Sequence, residues 1–438
     1  MQQAKKISGE INILQSVVDS IQKEVNNIVE LKEKIESSLD QNTTDLLAII
    51  LIGIINIRAS DIHIEPSETS AKFRIRADGV LQDVLEIDKK LYGSLISRIK
   101  LLSKLKLNVS DRPQDGRFSI LMGGEEIEIR TSVLPAEEGE SVVMRILNPK
   151  NLISLEELGL RKDLAEMFEE EIKKPNGMII VTGPTGSGKT TTLYAFLKQL
   201  NNSEIKIITL EDPIEYHLEG ISQTQVDIKK GYDFASGLRS IMRQDPDVIL
   251  VGEIRDLETA STAIQAALTG HLVFTTLHTN DSAGTIARLL ALGEKAINIS
   301  PAVNMAVAQR LIRKVCKDCA TYRKATSKEL TEIKKNIKGI PKELISEQTG
   351  ITDLDNIEIA EVHGCKNCNQ TGYKGRISIF EVLKIDNEIE KFILTAPSIV
   401  AIRDLAIKKG MLLVRQDGFI KVLEKTTTIE EVDRVTAE

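Results

Sequence analysis

The sequence predicts an α/β protein in which a nucleotide-binding core follows a smaller α+β domain. Three observations carry that expectation. Residues 178–182, 205–210, 248–251 and 272–276 are short apolar or β-branched runs separated by helical stretches. That is the pattern of strands buried on both faces of a parallel sheet. Directly after the first run comes GPTGSGKT, residues 183–190, a glycine-rich loop placed between strand and helix, where phosphate binding needs it. Residues 56–147 have a different texture, with short alternating runs broken by turns, as in a small antiparallel domain.

Taken in order, residues 1–42 place Leu14, Val18, Ile21, Val25, Ile28, Ile35 and Leu39 at alternating steps of three and four, with Lys32 the one break. This spacing predicts one amphipathic, coiled-coil-like helix, packed on its own protein or docked on a partner. Residues 43–150 form the small α+β domain. Lys72 to Arg76 alternates before an Asp78-Gly79 turn, Tyr92 to Leu107 is helical in pattern, and Glu126 to Thr131 alternates again before Pro135. Residues 149–160 read as a linker, opening the core at 151–315. A cysteine-bearing segment, 316–380, interrupts the core near its end, and 381–438 read as a helical tail.

Composition narrows the function. The 438 residues are 42 % hydrophobic and 28 % charged, as in an ordinary globular protein, which excludes a disordered or collagen-like chain. The net charge of -7 and 3 % aromatic content argue against a general nucleic-acid binder, which needs basic phosphate contacts and stacking surfaces. The longest apolar run, Leu46 to Ile55, is about half the ~20 residues a spanning helix needs. It is expected to be a buried helix. The polar start of the chain lacks an apolar signal region, so a cytoplasmic location is expected.

The chemistry concentrates at the phosphate loop, Gly183, Pro184, Thr185, Gly186, Ser187, Gly188, Lys189 and Thr190, continued by Thr191. Glycines let backbone amides turn inward around phosphate oxygens, and the helix N-terminus adds its positive end. Lys189 is expected on the β- and γ-phosphates of ATP and the Thr190 hydroxyl on Mg²⁺. Hydrolysis also requires carboxylates to hold Mg²⁺ and orient water. Two candidates end apolar strands: Glu211 in IITLEDPIEY and Glu253 in DVILVGEIRD. His271 and His278 flank LVFTT, and both are expected near the site.

Cys316 and Cys319 form one Cys-x-x-Cys pair, Cys365 and Cys368 a second, 45 residues on. Four thiolates in two knuckles suit a closed, structural zinc site. A redox role is weaker, because two equivalent pairs would be unnecessary. The long gap predicts that the intervening residues form a lobe of their own.

These residues carry a resemblance. The chain resembles the secretion ATPases that drive type II secretion and type IV pilus assembly. GPTGSGKT matches the family's phosphate loop, EDPIEY its Asp box, RQDPDVILVGEIRD its atypical Walker B and ALTGHLVFTTLHTND its His box. RASDIHIEP and FRIRADGVL resemble its N-terminal domain signatures, and AVAQRLIRKVC its entry to the cysteine module. The matches run from about residue 58 to the end. The resemblance implies a homohexamer in which a RecA-like domain and a PAS-like N-terminal domain hold nucleotide between them. It makes Glu253 the Walker B acid, Glu211 a second catalytic glutamate and His278 a residue of the catalytic box. Within IEIRTSVLPAEEGESVVMRIL it assigns the arginines that reach the phosphates to Arg130 and Arg145. It further implies work at the cytoplasmic face of the inner membrane, on a platform protein and without nucleic acid. The tetracysteine resembles the assembly and secretion branch rather than retraction motors. The chain departs from the family at its start, where longer members carry a globular docking domain and residues 1–42 read as a helix. A small-molecule kinase would share the phosphate loop but leaves the other boxes and the cysteines unexplained. Which filament is driven, a pilus, a secretion pseudopilus or a DNA-uptake filament, stays open.

Overall fold

A computed structural model describes residues 9–13, 15–122 and 124–437. Leu14, counted above in the apolar seam, lies outside them. The chain forms two compact units. One contains the chain through Asn151 together with Cys316–Cys319 and His363–Lys374; the other contains Leu152–Val315, Ala320–Val362 and Gly375–Glu438.

The first unit runs β1 (Gly9–Asn12), α1 (Gln15–Glu24), α2 (Ile28–Glu36), α3 (Thr43–Ile57), β2 (Asp61–Pro66), β3 (Ser70–Ala77), β4 (Val80–Asp88), α4 (Lys89–Leu102), β5 (Gln114–Met122), β6 (Glu125–Ala136) and β7 (Gly139–Leu147). Its strands make one sheet ordered β1-β5-β6-β7-β2-β3-β4. Only the β1–β5 pair is parallel. Alternation decides which side chains go inward: Ile62, Ile64, Phe73, Ile75, Ile129, Met144 and Ile146 join Val18, Ile21, Leu31 and the apolar α3 in a single core. The apolar run 46–55 is thus a buried helix, as its length required. Gly53 lets α3 approach α2 closely, since a Cβ there would lie 2.7 Å from a Leu31 methyl.

The expected single N-terminal helix is instead a short strand and two helices. The break has a local cause. Asn27 accepts a hydrogen bond from the Glu30 N–H as the N-cap of α2, a role asparagine fills better than it fills a helix interior. The Asn56 amide meanwhile takes the Gln22 and Val25 carbonyls at the end of α1. Val18, Ile21, Val25, Ile28, Leu31 and Ile35 are all buried in this unit's own core, so the seam packs on its own protein.

The second unit continues with α5 (Lys162–Ile172), β8 (Gly177–Thr182), α6 (Lys189–Leu200), β9 (Ile207–Glu211), β10 (Ser222–Gln225), α7 (Phe234–Ile241), β11 (Val248–Val251), α8 (Leu257–Leu268), β12 (Leu272–Leu277), α9 (Ser282–Ala291), α10 (Ala296–Ala302) and β13 (Val303–Val315). There follow β14 (Thr321–Lys324), α11 (Ser327–Asn336), α12 (Lys342–Thr349), β15 (Glu358–Glu361), β16 (Tyr373–Lys384), α13 (Asn387–Ile393), α14 (Ile399–Lys408), α15 (Val414–Leu423) and α16 (Ile429–Thr436). The main sheet is ordered β10-β9-β11-β12-β8-β13-β16, with β9 to β13 in parallel register around β8. Every residue of β8, β9, β11 and β12 is buried, as expected for strands covered on both faces. Among the described residues no helix is long and apolar enough to cross a membrane.

Two expectations about the cysteine segment change. The interruption of the core does not run to residue 380, because β16, beyond the cysteines, adds the last strand of the core sheet. Nor do residues 320–362 form a lobe of their own. Ile333, Ile337, Ile345, Ile357 and Ile359 share a core with Phe419, Ile420 and Leu423 of α15. A two-helix, two-stranded segment this short cannot bury enough apolar surface alone, so it borrows the C-terminal helices.

Candidate active site and cysteine cluster

The phosphate loop leaves β8 in the middle of the parallel sheet and enters α6. Gly183, Gly186 and Gly188 all take positive φ, at 146°, 79° and 91°. At Gly183 the need is steric too, because a Cβ would lie 2.6 Å from the Gln309 carbonyl oxygen. The Lys189 ammonium donates to the Gly183 and Pro184 carbonyls at 2.9 and 3.1 Å, folding it back over the loop. Burial lowers its pKa, with Glu253 and Glu215 opposing that shift and Arg310 adding to it. Ser187 Oγ is buried without a hydrogen-bond partner. A cradle of turned amides, a tethered ammonium and an orphaned hydroxyl fits a phosphate chain. Thr190 and Thr191, at the start of α6, are partly exposed, so the Thr190 hydroxyl is available to a Mg²⁺ ion.

Parallel register brings the other candidates to the same end of the sheet, where ligands sit in open α/β folds. Glu253 follows β11, and its carboxylate pairs with Arg255 and lies 3.3 Å from His278 Nε2. His278 follows the C-terminal end of β12, beside Thr182 of β8. His271 does not belong here. It precedes β12, whose first residue pairs with Gly177, and its Nδ1 meets the Ala266 carbonyl. In a parallel sheet only one end of each strand faces the crevice, and His271 is at the other end.

Glu211 ends β9 almost fully buried. It accepts from the Tyr194 hydroxyl, from Thr209 Oγ1 at 2.6 Å and from the Gln223 amide at 3.3 Å. Burial pushes its carboxyl above the ordinary range, against the pull of these three donors. The same burial, with Glu211 adjacent, raises the Tyr194 phenol far above its usual value. Sequence inspection missed Tyr194, Thr209 and Gln223, because the holding group comes from three separated segments. Arg310 was missed as well. Its guanidinium donates to the Gln309 and Asn280 carbonyls and stands against Gly183. Only its place on β13, next to β8, reveals it.

Arg130 and Arg145 belong to the first unit. They are direct cross-strand partners on β6 and β7. Arg130 Nε donates to Glu128 at 3.2 Å and Arg145 Nε to Asp61 at 2.9 Å.

The four cysteines gather in the first unit. Their sulfurs all lie within 4.8 Å of one another, with Cys316–Cys365, Cys319–Cys368 and Cys365–Cys368 at 3.9, 3.8 and 3.7 Å. Tetrahedral zinc with Zn–S of about 2.3 Å would set sulfurs about 3.8 Å apart. Burial raises Cys316, and burial together with the neighbouring sulfurs pushes the Cys319 thiol up to about 12. Cys368 differs: burial opposes its ionisation, but N–H groups of Cys365 and Gly372, each 3.2 Å from its sulfur, bring it down to about 7. The knuckle also holds a helix, since Asn369 Oδ1 accepts from the Ile28 N–H that opens α2, at 2.7 Å.

The type II/IV secretion system protein family model matches residues 9–434. The type II secretion system protein E of Aeromonas hydrophila is 43 % identical over 90 % of this chain and 75 % of its own length. That of Pseudomonas aeruginosa is 41 % identical over 100 % and 82 %. The type IV pilus assembly ATPase PilB of Myxococcus xanthus is 40 % identical over 97 % and 73 %. Among solved structures, the pilus retraction motor PilT with bound ADP superposes at TM-score 0.58 and 25 % identity, covering 89 % of this chain and 96 % of that one. The Legionella pneumophila ATPase DotB shares the fold at TM-score 0.63 and 22 % identity, over 89 % and 95 %.

Proposed function

The chain belongs to the type II/IV secretion system protein family, and on that premise we propose that it is a motor ATPase powering assembly of a type IV pilus or a type II secretion pseudopilus. The observation that carries this reading is the meeting, at one end of a parallel sheet, of the phosphate loop with Glu253 and His278.

In this mechanism Lys189 and the loop amides hold the β- and γ-phosphates of ATP. Thr190 and Glu253 would hold Mg²⁺, which when bound would offset charge on the phosphates. Glu253 and Glu211 orient the attacking water, and His278 fixes the Glu253 carboxylate. Arg130 and Arg145 supply guanidinium forks that match phosphate geometry and offset charge in the transition state. The protein works as a homohexamer at the cytoplasmic face of the inner membrane, bound there through a platform protein and using no nucleic acid. Its four cysteines hold one structural zinc.

The test is ATP hydrolysis by the purified full chain, which should rise as the protein assembles. Arg130→Ala or Arg145→Ala should cut turnover about 10³-fold. Phosphate transfer to a metabolite in place of hydrolysis would overturn the reading.

A further inference from the structure

We propose that Asp61 is a positioning residue for Arg145, setting the plane of its guanidinium so that the terminal nitrogens are presented to phosphate. The proposal deepens the ATPase reading and rests on it. It also gives a role to the RASDIHIEP signature, which the nucleotide site leaves unexplained.

The sheet of the first unit lines up an unusual row. In register across five strands stand Arg76 on β3, Asp61 on β2, Arg145 on β7, Arg130 on β6 and Arg117 on β5. Like charges directly opposite one another destabilise a sheet, so Arg145 beside Arg130 and Arg130 beside Arg117 have a cost. The row contains one carboxylate, and it is buried: the Asp61 side chain is 6 % exposed. A buried carboxylate persists only when its oxygens are paired, and both oxygens of Asp61 are. Oδ1 accepts from Arg145 Nε at 2.9 Å. Oδ2 accepts from Ser60 Oγ at 2.8 Å and lies 3.5 Å from Arg76 Nε.

Asp61 engages Nε, the inner edge of the guanidinium, while the Arg145 side chain as a whole remains 53 % exposed. An arginine free to rotate gives up rotamer entropy when it is fixed on a ligand. A carboxylate that already grips Nε removes part of that cost before the nucleotide arrives.

A double-mutant cycle on the full chain tests this, reading kcat and KM for ATP and the melting temperature of each variant. Asp61→Asn keeps the shape and loses the charge, and should lower kcat/KM by about 10- to 10²-fold. In an Arg145→Ala background the same substitution should change nothing further, because its effect runs through the missing guanidinium. Independent, multiplying losses would overturn the positioning role, as would full activity of Asp61→Asn where Arg145→Ala is inactive. Unchanged hydrolysis by Arg145→Ala would instead overturn the phosphate contact beneath it. Should Asp61→Asn not fold, Arg145→Lys replaces it: the charge remains, but no Nε exists for Asp61 to orient. Activity should fall as in Arg145→Ala, and wild-type turnover would overturn the proposal.

Discussion

Lys189 and the two glutamates make separable residue-scale predictions. Lys189→Ala removes a charged donor from the phosphates and should weaken ATP binding by about 10- to 10²-fold, measured by titration with a fluorescent nucleotide. Glu253→Gln keeps shape and partners but loses the negative charge. It should bind ATP and hydrolyse it about 10²-fold or more slowly, and a greater loss in Glu211→Gln would reverse their ranking. Glu211 adds a pH signature. The Tyr194 hydroxyl favours its charged form, so Tyr194→Phe should raise the carboxyl further and move the acid limb of kcat/KM to higher pH. An unmoved limb would remove Glu211 from the rate. Lys189 and the loop glycines were legible in the sequence because a phosphate loop is local: eight consecutive residues carry it. Gln223 and Arg310 were not, because they meet their partners only through sheet register, nor was Tyr194, which reaches Glu211 from α6. His271 shows the complementary limit, since strand alternation reveals a residue's face but not which end of the sheet it occupies.

At the scale of elements, the cysteine knuckle and the segment between its halves behave differently. Cys316→Ser should abolish zinc binding, and metal analysis of the wild type should find one ion per chain. Because Asn369 takes the Ile28 N–H, metal loss should also speed hydrogen exchange at the start of α2, far away in sequence. Exchange confined to the cysteine loops would refute that link. In the segment between, Glu329 caps α11 and pairs with Arg323. The Arg323 hydrogen bonds hold its carboxyl down to about 2, against an ordinary 4.5. A depressed carboxyl stabilises the fold above its unfolded pKa, and the contribution disappears as pH falls through the folded value. Glu329→Gln should therefore melt lower than wild type near neutrality by a small margin, about 1 kcal/mol or less. The gap should narrow as the buffer is taken from about pH 5 toward pH 3; a constant gap would mean that the charge is irrelevant. The α3 helix was readable from composition alone. The break at Asn27 was not, because a seam of apolar residues continues through it while the caps come from Asn27 and the distant Asn56.

For the whole molecule, the motifs foretold the α/β core and the α+β body but misjudged how the chain is shared between them. The cysteine loops cluster with the first unit, while residues 320–362 and β16 from Gly375 onward belong to the second. Cysteine spacing announces a metal site without saying which body it is built on, and nothing local in β16 marks it as the last strand of a sheet begun near residue 177.

The four-residue β1 has a consequence for solubility. It occupies one edge of the first unit's sheet, pairing with Phe118 to Leu121 of β5. Without it, β5 would present a row of unpaired amides and carbonyls over an apolar stretch, the kind of open edge that recruits strands from other chains. A variant lacking residues through 13 should therefore aggregate beyond the wild type's own assembly, with rising thioflavin fluorescence and turbidity at concentrations where the full chain stays clear. Equal clarity of the two would mean that β5 protects its own edge.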